Sequence, residues 1–306
     1  MSDKLFFVGI PTFLKRSFTQ NLENVDVAIV GAPLDQGVMD RPGTRHGPRA
    51  IREASQMYGS FLNPERGMYY TELEKFVLNN TRIIDYGDVT VVPTLCEMNL
   101  DAITRVIRKL VMKKVFPIVL GGDHSISFAV VKAFKNVKMN IVQYDSYLDF
   151  LDESSGLSVS HANPMKRISN LEGVEKITQI GIRGLANPVF MAEAAKKAGS
   201  KIIFAKTSMK NRAQWVLDQI PEGENIYVTI DIDALDPIQA PGTGTPEPGE
   251  FNYLQMREML RKLPKKGTII GFDVVEVNPL YDPAQITAQV AVRLIIDLLA
   301  QIREKK

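Results

Sequence analysis

The chain of 306 residues is 45% apolar and 24% charged, a balance that excludes a disordered or a fibrous protein. Its formal net charge of +2 offers no electrostatic footprint for nucleic acid or for an anionic membrane, so neither is expected as a partner. The single cysteine, Cys96, excludes an intrachain disulfide and fits a reducing compartment. No apolar run reaches the roughly 18 residues of a spanning helix, and the first residues lack the apolar core of a signal peptide. Composition therefore predicts a soluble cytoplasmic protein.

Strand-like and helix-like segments alternate along the chain. Short apolar runs rich in β-branched residues predict buried strands, and apolar residues at helical spacing predict helices between them. In chain order we expect a strand at 25–30, a helix at 47–58, a strand at 82–85, a helix at 97–113, a strand at 116–120, a helix at 125–134, strands at 139–144 and 202–204, a helix at 208–220, a strand at 226–230, a helix at 251–262, a strand at 268–275 and a helix at 283–304. This alternation predicts one three-layer α/β/α domain over residues 1–306, with a mainly parallel sheet between two layers of helices.

Several acidic residues directly follow predicted strands. Ligands of open parallel sheets bind at the carboxyl ends of the strands, so these positions are candidates for an active site. Carboxylates that converge on one place repel each other unless a cation lies between them. Oxygen ligands with one imidazole suit manganese or magnesium better than zinc. The candidates are His124 after strand 116–120, Asp145 and Asp149 after strand 139–144, Asp231 and Asp233 after strand 226–230, and Glu276 after strand 268–275.

Simpler interpretations are favoured for some other polar residues. A lone aspartate at a strand end is usually a helix cap or a turn former, and this is the role that we expect for Asp152 and Asp236. His46 lies in a polar loop before the helix at 47–58 and is expected at the surface. Capping does not require paired acids after two separate strands, so a metal site is the better interpretation there.

Five motifs, in order along the chain, resemble those of the ureohydrolases, the arginase and agmatinase family. They lie at 121–125, 145–149, 230–237, 240–249 and 271–279, and the first of them reads Gly-Gly-Asp-His-Ser. The loop at 41–52 and the stretch at 274–282 look closer to agmatinase than to arginase. The resemblance implies an arginase-like fold, manganese at the carboxyl edge of the sheet, and hydrolysis of a small, agmatine-like guanidinium compound to urea and an amine.

The resemblance also implies a role for each matching residue. His161 matches a histidine that shuttles protons, Glu276 matches a carboxylate that pairs with the guanidinium, and Asp149 joins these two in the implied catalytic set. As metal ligands the resemblance implies His124 and Asp149 for a first ion, Asp145 and Asp231 as bridging carboxylates, and Asp233 for a second ion. It further implies a homo-oligomer, either a trimer or a hexamer.

Tyr147 departs from the family pattern, because it occupies the position of a histidine that binds the second ion. A neutral phenol, with a pKa of about 10, is a poorer ligand than a neutral imidazole. We therefore expect one firmly bound Mn²⁺ and a second ion that is weak or absent. The alternative function is a non-catalytic homologue, which binds a ligand or serves as the structural partner of an active paralogue in a mixed oligomer.

Overall fold

A parallel sheet forms the centre of the structure. The computed structural model describes residues 5, 7–63, 65–152, 156, 158–210, 213–223, 225–249 and 251–304. In chain order the strands are β1 (Val27–Ala32), β2 (Met68–Tyr70), β3 (Lys75–Val77), β4 (Ile83–Asp88), β5 (Phe116–Gly121), β6 (Met139–Tyr144), β7 (Val174–Ile182), β8 (Lys201–Phe204), β9 (Asn225–Asp231) and β10 (Thr268–Val275). β2 and β3 form a separate antiparallel pair. The other eight strands pair in parallel, in the order β4-β1-β5-β10-β9-β6-β7-β8.

Helices cover both faces of this sheet. In chain order they are α1 (Gly47–Gly59), α2 (Cys96–Met112), α3 (Ile126–Val131), α4 (Pro164–Ser169), α5 (Val189–Lys197), α6 (Ala205–Lys210), α7 (Ala213–Asp218), α8 (Tyr253–Lys262) and α9 (Ile286–Glu304). Among the described helices, none combines the length and the apolar character that crossing a membrane requires.

Two apolar cores separate the sheet from the two helix layers. Buried side chains of α1, α7, α8 and α9 belong to one core, and those of α2, α3, α4 and α5 belong to the other. Strand side chains alternate between them, so that Val27 and Ile29 of β1 enter the first core while Ala28 and Val30 enter the second. The predicted α/β/α architecture with a parallel central sheet is therefore confirmed.

Four adjacent strands in the middle of the sheet carry the polar residues that the sequence singles out. β5, β10, β9 and β6 are neighbours, although they are far apart in the chain. His124 follows β5 by three residues, and Glu276 directly follows β10. Asp231 is the last residue of β9, and Asp145 directly follows β6. Because parallel strands end at the same edge of a sheet, this topology places all four residues at one edge.

A buried ion pair joins α1 to β4. Arg52 of α1 donates from Nε and from NH2 to the carboxylate of Asp85 in β4, at 2.8 and 3.0 Å. The same carboxylate accepts the backbone N–H of Phe13 at 2.7 Å. The side chains of Arg52 and Asp85 are only 8% and 1% exposed, so this contact is part of the protein interior.

Some elements differ from those expected. β7 is not predicted, because its first half contains Glu175 and Lys176 and its apolar residues alternate with polar ones. The short antiparallel pair of β2 and β3 also lies in a stretch without a predicted element. The helix expected at 208–220 is replaced by α6 and α7, and residues 211–212 between them lie outside the described residues.

Candidate functional site

The chain before His124 passes through a space that only glycine fits. A Cβ atom on Gly122 would lie 1.8 Å from the carbonyl oxygen of Leu34, so this close approach requires a residue without a side chain. His124 is completely buried, and its Nε2 atom lies 2.9 Å from the hydroxyl oxygen of Thr229. With Nε2 engaged by Thr229, the other ring nitrogen, Nδ1, is available to face the site.

Three carboxylates surround Nδ1 of His124. The nearest oxygens lie at 3.1 Å in Asp145, 2.9 Å in Asp149 and 3.2 Å in Asp231. None of these contacts has the alignment of a hydrogen bond, so the buried nitrogen has no hydrogen-bond partner among the described residues. Ligand atoms of His124, Asp145 and Asp231 lie within 4.8 Å of one another. An unpaired buried nitrogen that faces a group of carboxylate oxygens fits a divalent cation.

Burial and mutual repulsion disfavour the charged form of Asp149 and Asp231. Burial and the charge of Asp145 raise the pKa of Asp149 to about 7. Burial, together with the charges of Asp233 and Asp145, raises the pKa of Asp231 well above its usual range. Burial lowers the pKa of His124, but its acidic neighbours outweigh this effect and raise that pKa well above its usual value. Protons and a divalent cation therefore compete for the same place.

Asp145 is oriented by donors from its own segment. Its carboxylate accepts hydrogen bonds from Nε2 of Gln143 and from the backbone N–H of Tyr147, both at 2.6 Å. Gln143 in turn accepts a hydrogen bond from Nε2 of Gln179 at 2.6 Å. Donors of this kind hold a ligating carboxylate in one orientation.

Asp233 and Tyr147 are held by partners within the protein. The Asp233 carboxylate accepts the backbone N–H of Ser146 at 3.1 Å and the hydroxyl of Thr245 at 3.3 Å. The Tyr147 hydroxyl donates to the carbonyl oxygen of Thr245 at 3.3 Å. Burial and the charge of Asp233 raise the pKa of Tyr147 above its usual value, so the phenol stays neutral. Like Asp149, Asp233 is not one of the three residues whose ligand atoms all lie within 4.8 Å of one another.

Glu276 and His161 form a pair beside this group. Glu276 has a φ of +63°, in a region that residues other than glycine seldom occupy, and such strain is concentrated at functional sites. Its Oε1 atom accepts the backbone N–H of His124 at 2.8 Å and lies 3.2 Å from Nδ1 of His161. Nε2 of His161 accepts the backbone N–H of Met39 at 3.2 Å, which fits a neutral ring with its proton on Nδ1.

Glu276 also makes His161 easier to protonate. Burial lowers the pKa of His161, but the hydrogen bond to Glu276 and the charge of this carboxylate outweigh burial and raise the pKa to about 9. A second proton on His161 would convert Nε2 from an acceptor into a donor and would break the contact with the N–H of Met39. At neutral pH the protonated form therefore predominates, so the ring can donate a proton.

A cavity of about 280 Å³ lies over these groups. Its floor is formed by buried acids, and Met39 and Asp40 are exposed at its rim. Tyr147 and His161 form part of its walls. A larger cleft of about 920 Å³ lies at the opposite edge of the sheet, where its lining includes the first residues of β5, β9 and β10 and no predicted site residue. The acids on the floor of the smaller cavity are Asp149, Asp231, Asp233 and Glu276.

The structure thus brings together all seven residues that the sequence suggests as metal ligands or catalytic groups, and Tyr147 lies beside them. Asp236 lies elsewhere, and its carboxylate accepts the backbone N–H groups of Ile238 and Gly249, each at 3.0 Å, as expected of a turn former. His46 is exposed, also as expected. The seven residues are His124, Asp145, Asp149, His161, Asp231, Asp233 and Glu276.

Other polar residues support the site but were missed in the sequence. The buried carboxylate of Asp123 accepts the backbone N–H groups of Gly37 at 2.8 Å and of Ser125 at 2.9 Å, which joins a loop after β1 to the segment after β5. Thr229 and Gln143 contact His124 and Asp145 from within β9 and β6. A polar residue in an otherwise apolar predicted strand is the signal that could have identified these two.

Comparison with known proteins places the chain in a family. A sequence model described as the arginase family matches residues 25–300. The chain is 31% identical to the mitochondrial guanidino acid hydrolase of Homo sapiens, over 96% of this chain and 83% of that protein. It is 32% identical to an agmatinase of Bacillus anthracis, over 97% of this chain and 96% of that protein. A crystal structure of a hypothetical agmatinase from Burkholderia thailandensis superimposes with a TM-score of 0.85 at 29% identity, covering 98% of this chain and 93% of that one. The chain belongs to the arginase family.

Proposed function

We propose that this protein hydrolyses a small guanidinium compound to urea and an amine, with the help of a divalent metal ion. The observation that carries the proposal is the buried Nδ1 atom of His124, which lies unpaired among three carboxylates at the base of a cavity. Membership of the arginase family supports the reaction class. The names of the two relatives, a guanidino acid hydrolase and an agmatinase, point to the same chemistry.

The donor set fits manganese. Three carboxylates and one imidazole are oxygen-rich, and this combination favours Mn²⁺ over Zn²⁺. Such an ion, when bound, acts as a Lewis acid that lowers the pKa of water and activates it as a nucleophile. Gln143 and Thr229 hold two of the donors in place through hydrogen bonds. The residues that would hold the ion are His124, Asp145, Asp149 and Asp231.

Only one ion binds firmly in this proposal. Asp233, the remaining acid that the family resemblance assigns to a second ion, already accepts hydrogen bonds from Ser146 and Thr245. Tyr147 stands where the family has a histidine, and its raised pKa keeps the phenol from becoming an anionic ligand. A second ion would thus lack the imidazole donor of the family pattern, which weakens its binding.

Glu276 and His161 serve the substrate. A carboxylate accepts the parallel N–H groups of a planar guanidinium and so fixes the position of its central carbon. The amine leaves readily only when it is protonated, and a protonated His161 supplies this proton as a general acid. Because His161 contacts Glu276, the proton donor lies next to the group that binds the guanidinium. Asp149 lines the same cavity as His161 and Glu276.

Tyr147 also favours a second candidate function. A chain with an impaired second metal position would suit a non-catalytic subunit that supports an active paralogue in a mixed oligomer. The joint presence of His161, Glu276 and the complete first donor set favours the hydrolase over this alternative.

Urea release by the manganese-loaded protein tests the proposal. The substrates are a panel of guanidines that includes agmatine and guanidino acids, and the variants are Asp231→Asn and Asp236→Asn. We expect urea from the wild type and from Asp236→Asn, because Asp236 only forms a turn, and no urea from Asp231→Asn, which loses a ligand. If the wild type releases no urea from any guanidine, the non-catalytic alternative is the better account.

A further inference from the structure

The part of the cavity above the acids has apolar walls. Met191 is almost fully buried, Leu151 and Ala162 are half-buried, and Met39 and Ala186 are exposed at the rim. These side chains offer methyl, methylene and thioether surface and no hydrogen-bond donor. A substrate tail that enters this space is therefore removed from water without gaining a polar partner.

No lysine or arginine lies among the wall residues that the structure describes. Arginines near the cavity already donate to protein groups. Nε of Arg41 donates to the carbonyl oxygen of Gly244 at 2.6 Å, Nε of Arg45 donates to Asp35 at 2.6 Å, and NH2 of Arg183 donates to the carbonyl oxygen of Asp233 at 2.9 Å.

The cationic groups of the proposed function, a protonated His161 and the metal ion, serve the guanidinium end of the substrate. A carboxylate on the substrate tail would thus find no lysine or arginine on the described walls, and it would face Asp40 at the rim.

A cationic tail gains little more. Two acids of the cavity are assigned neither to the metal ion nor to the guanidinium: Asp233, which is held by hydrogen bonds from Ser146 and Thr245, and Asp40, which is exposed at the rim. An ion pair between solvent-exposed groups contributes little, because water and salt screen it.

Tyr147 adds to this apolar surface. Its hydroxyl is occupied by the carbonyl oxygen of Thr245, so the ring rather than the hydroxyl is available to a ligand. An aromatic ring of this kind packs well against an alkyl chain.

We infer that the cavity binds the uncharged alkyl tail of an N-alkylguanidine, so that guanidines with an apolar tail are the substrate class of this site. The inference rests on the proposed function, since the guanidinium group itself is assigned to Glu276. Each methylene group buried against these walls raises affinity by up to about fourfold. A terminal carboxylate left unpaired in the same place lowers affinity about tenfold or more.

Three guanidines with similar chain lengths test the inference: butylguanidine, agmatine and 4-guanidinobutanoate. In the manganese-loaded protein we expect kcat/KM to be highest for butylguanidine and at least about tenfold lower for 4-guanidinobutanoate. Calorimetric titration of the His161→Ala variant gives the three affinities without turnover, and we expect the same order. An affinity for 4-guanidinobutanoate equal to that for butylguanidine, or a tenfold preference for agmatine, would overturn the inference. If the affinities follow the expected order but no compound releases urea, the proposed reaction fails and the binding inference stands.

A charged residue at the rim provides a second test. Ala186→Lys places a cation at the cavity, and Leu185→Lys places the same charge one residue away on a fully exposed side chain that does not line it. We expect Ala186→Lys to raise kcat/KM for 4-guanidinobutanoate about threefold relative to Leu185→Lys and to lower that for butylguanidine, because it removes apolar surface from the wall. Equal values in the two variants would contradict the placement of the tail in this cavity.

Discussion

His161 lies between Glu276 and the backbone N–H of Met39, and these two contacts decide its behaviour as an acid. Because Glu276 raises the pKa of His161 to about 9, the protonated form is present at neutral pH and is lost as the pH rises through this value. We predict that kcat declines above about pH 9 and that His161→Ala lowers kcat about 10²–10⁴-fold and removes this alkaline decline. The pH profile of urea release checks both effects. His46→Ala, at an exposed histidine, serves as the control and should leave the profile unchanged.

In the proposed function Glu276 binds the guanidinium group of the substrate, whereas His161 donates a proton. In Glu276→Gln the amide cannot neutralise the guanidinium, so we predict that KM rises and that kcat/KM falls about tenfold to a hundredfold. Steady-state kinetics of urea release measure the two constants. Glu258→Gln, at an exposed partner of Lys262, should match the wild type. An unchanged KM in Glu276→Gln would show that another group binds the guanidinium.

In the proposed function Tyr147 limits the number of metal ions that bind firmly to each chain. Tyr147→His replaces a phenol that stays neutral with an imidazole that offers a nitrogen donor at neutral pH, so we predict a second firmly bound manganese ion and a higher rate of urea release. Tyr147→Phe removes only the hydroxyl and should gain no metal. Elemental analysis after dialysis against Mn²⁺ gives the stoichiometry of both variants. If Tyr147→His gains neither metal nor rate, Tyr147 does not limit the site.

At the level of single residues, the sequence predicts the site residues that directly follow strands. Asp145 and Asp231 could be identified because an acid directly after a buried strand is conspicuous. The orientation of the His124 ring could not be predicted. That orientation depends on the hydroxyl of Thr229, which lies on another strand. The contacts of Asp233 with Ser146 and Thr245 are likewise tertiary, and no spacing in the sequence indicates them.

Among the elements, the strands that carry the site were the easiest to predict. β5, β6, β9 and β10 are buried on both faces, so apolar residues dominate their sequences. β7 lies nearer the edge of the sheet, and polar residues alternate with its apolar ones, so a search for short apolar runs does not detect it. The order of the strands could not be predicted, because it depends on which helices pack on which face.

The contact between α1 and β4 is expected to be important for stability. Arg52→Ala leaves the carboxylate of Asp85 buried without its cation, so we predict a loss of about 3–5 kcal/mol in the free energy of unfolding. Arg49→Ala, on the same helix, removes only an exposed ion pair and should cost much less than Arg52→Ala. Chemical denaturation followed by circular dichroism measures both values. Equal losses in the two variants would contradict a structural role for the buried pair.

Over the whole molecule, the fold explains how residues as far apart as His124 and Glu276 come together. The parallel sheet places β5, β10, β9 and β6 side by side, so their carboxyl ends bring the proposed metal donors and the proposed guanidinium-binding carboxylate to one edge. Asp149 and Asp231 are buried at that edge, and burial raises their pKa values and favours a cation between them. The cavity above them is the proposed place of the substrate.

The proposed enzyme is a guanidine hydrolase that works with one firmly bound metal ion. The most direct test is to titrate Mn²⁺ into metal-free protein while urea release is followed in the same sample. We predict that the rate rises with added metal and reaches its plateau at about one equivalent per chain. A rate that appears only with the second equivalent would contradict the one-ion site, and no urea at any metal content would contradict the hydrolase.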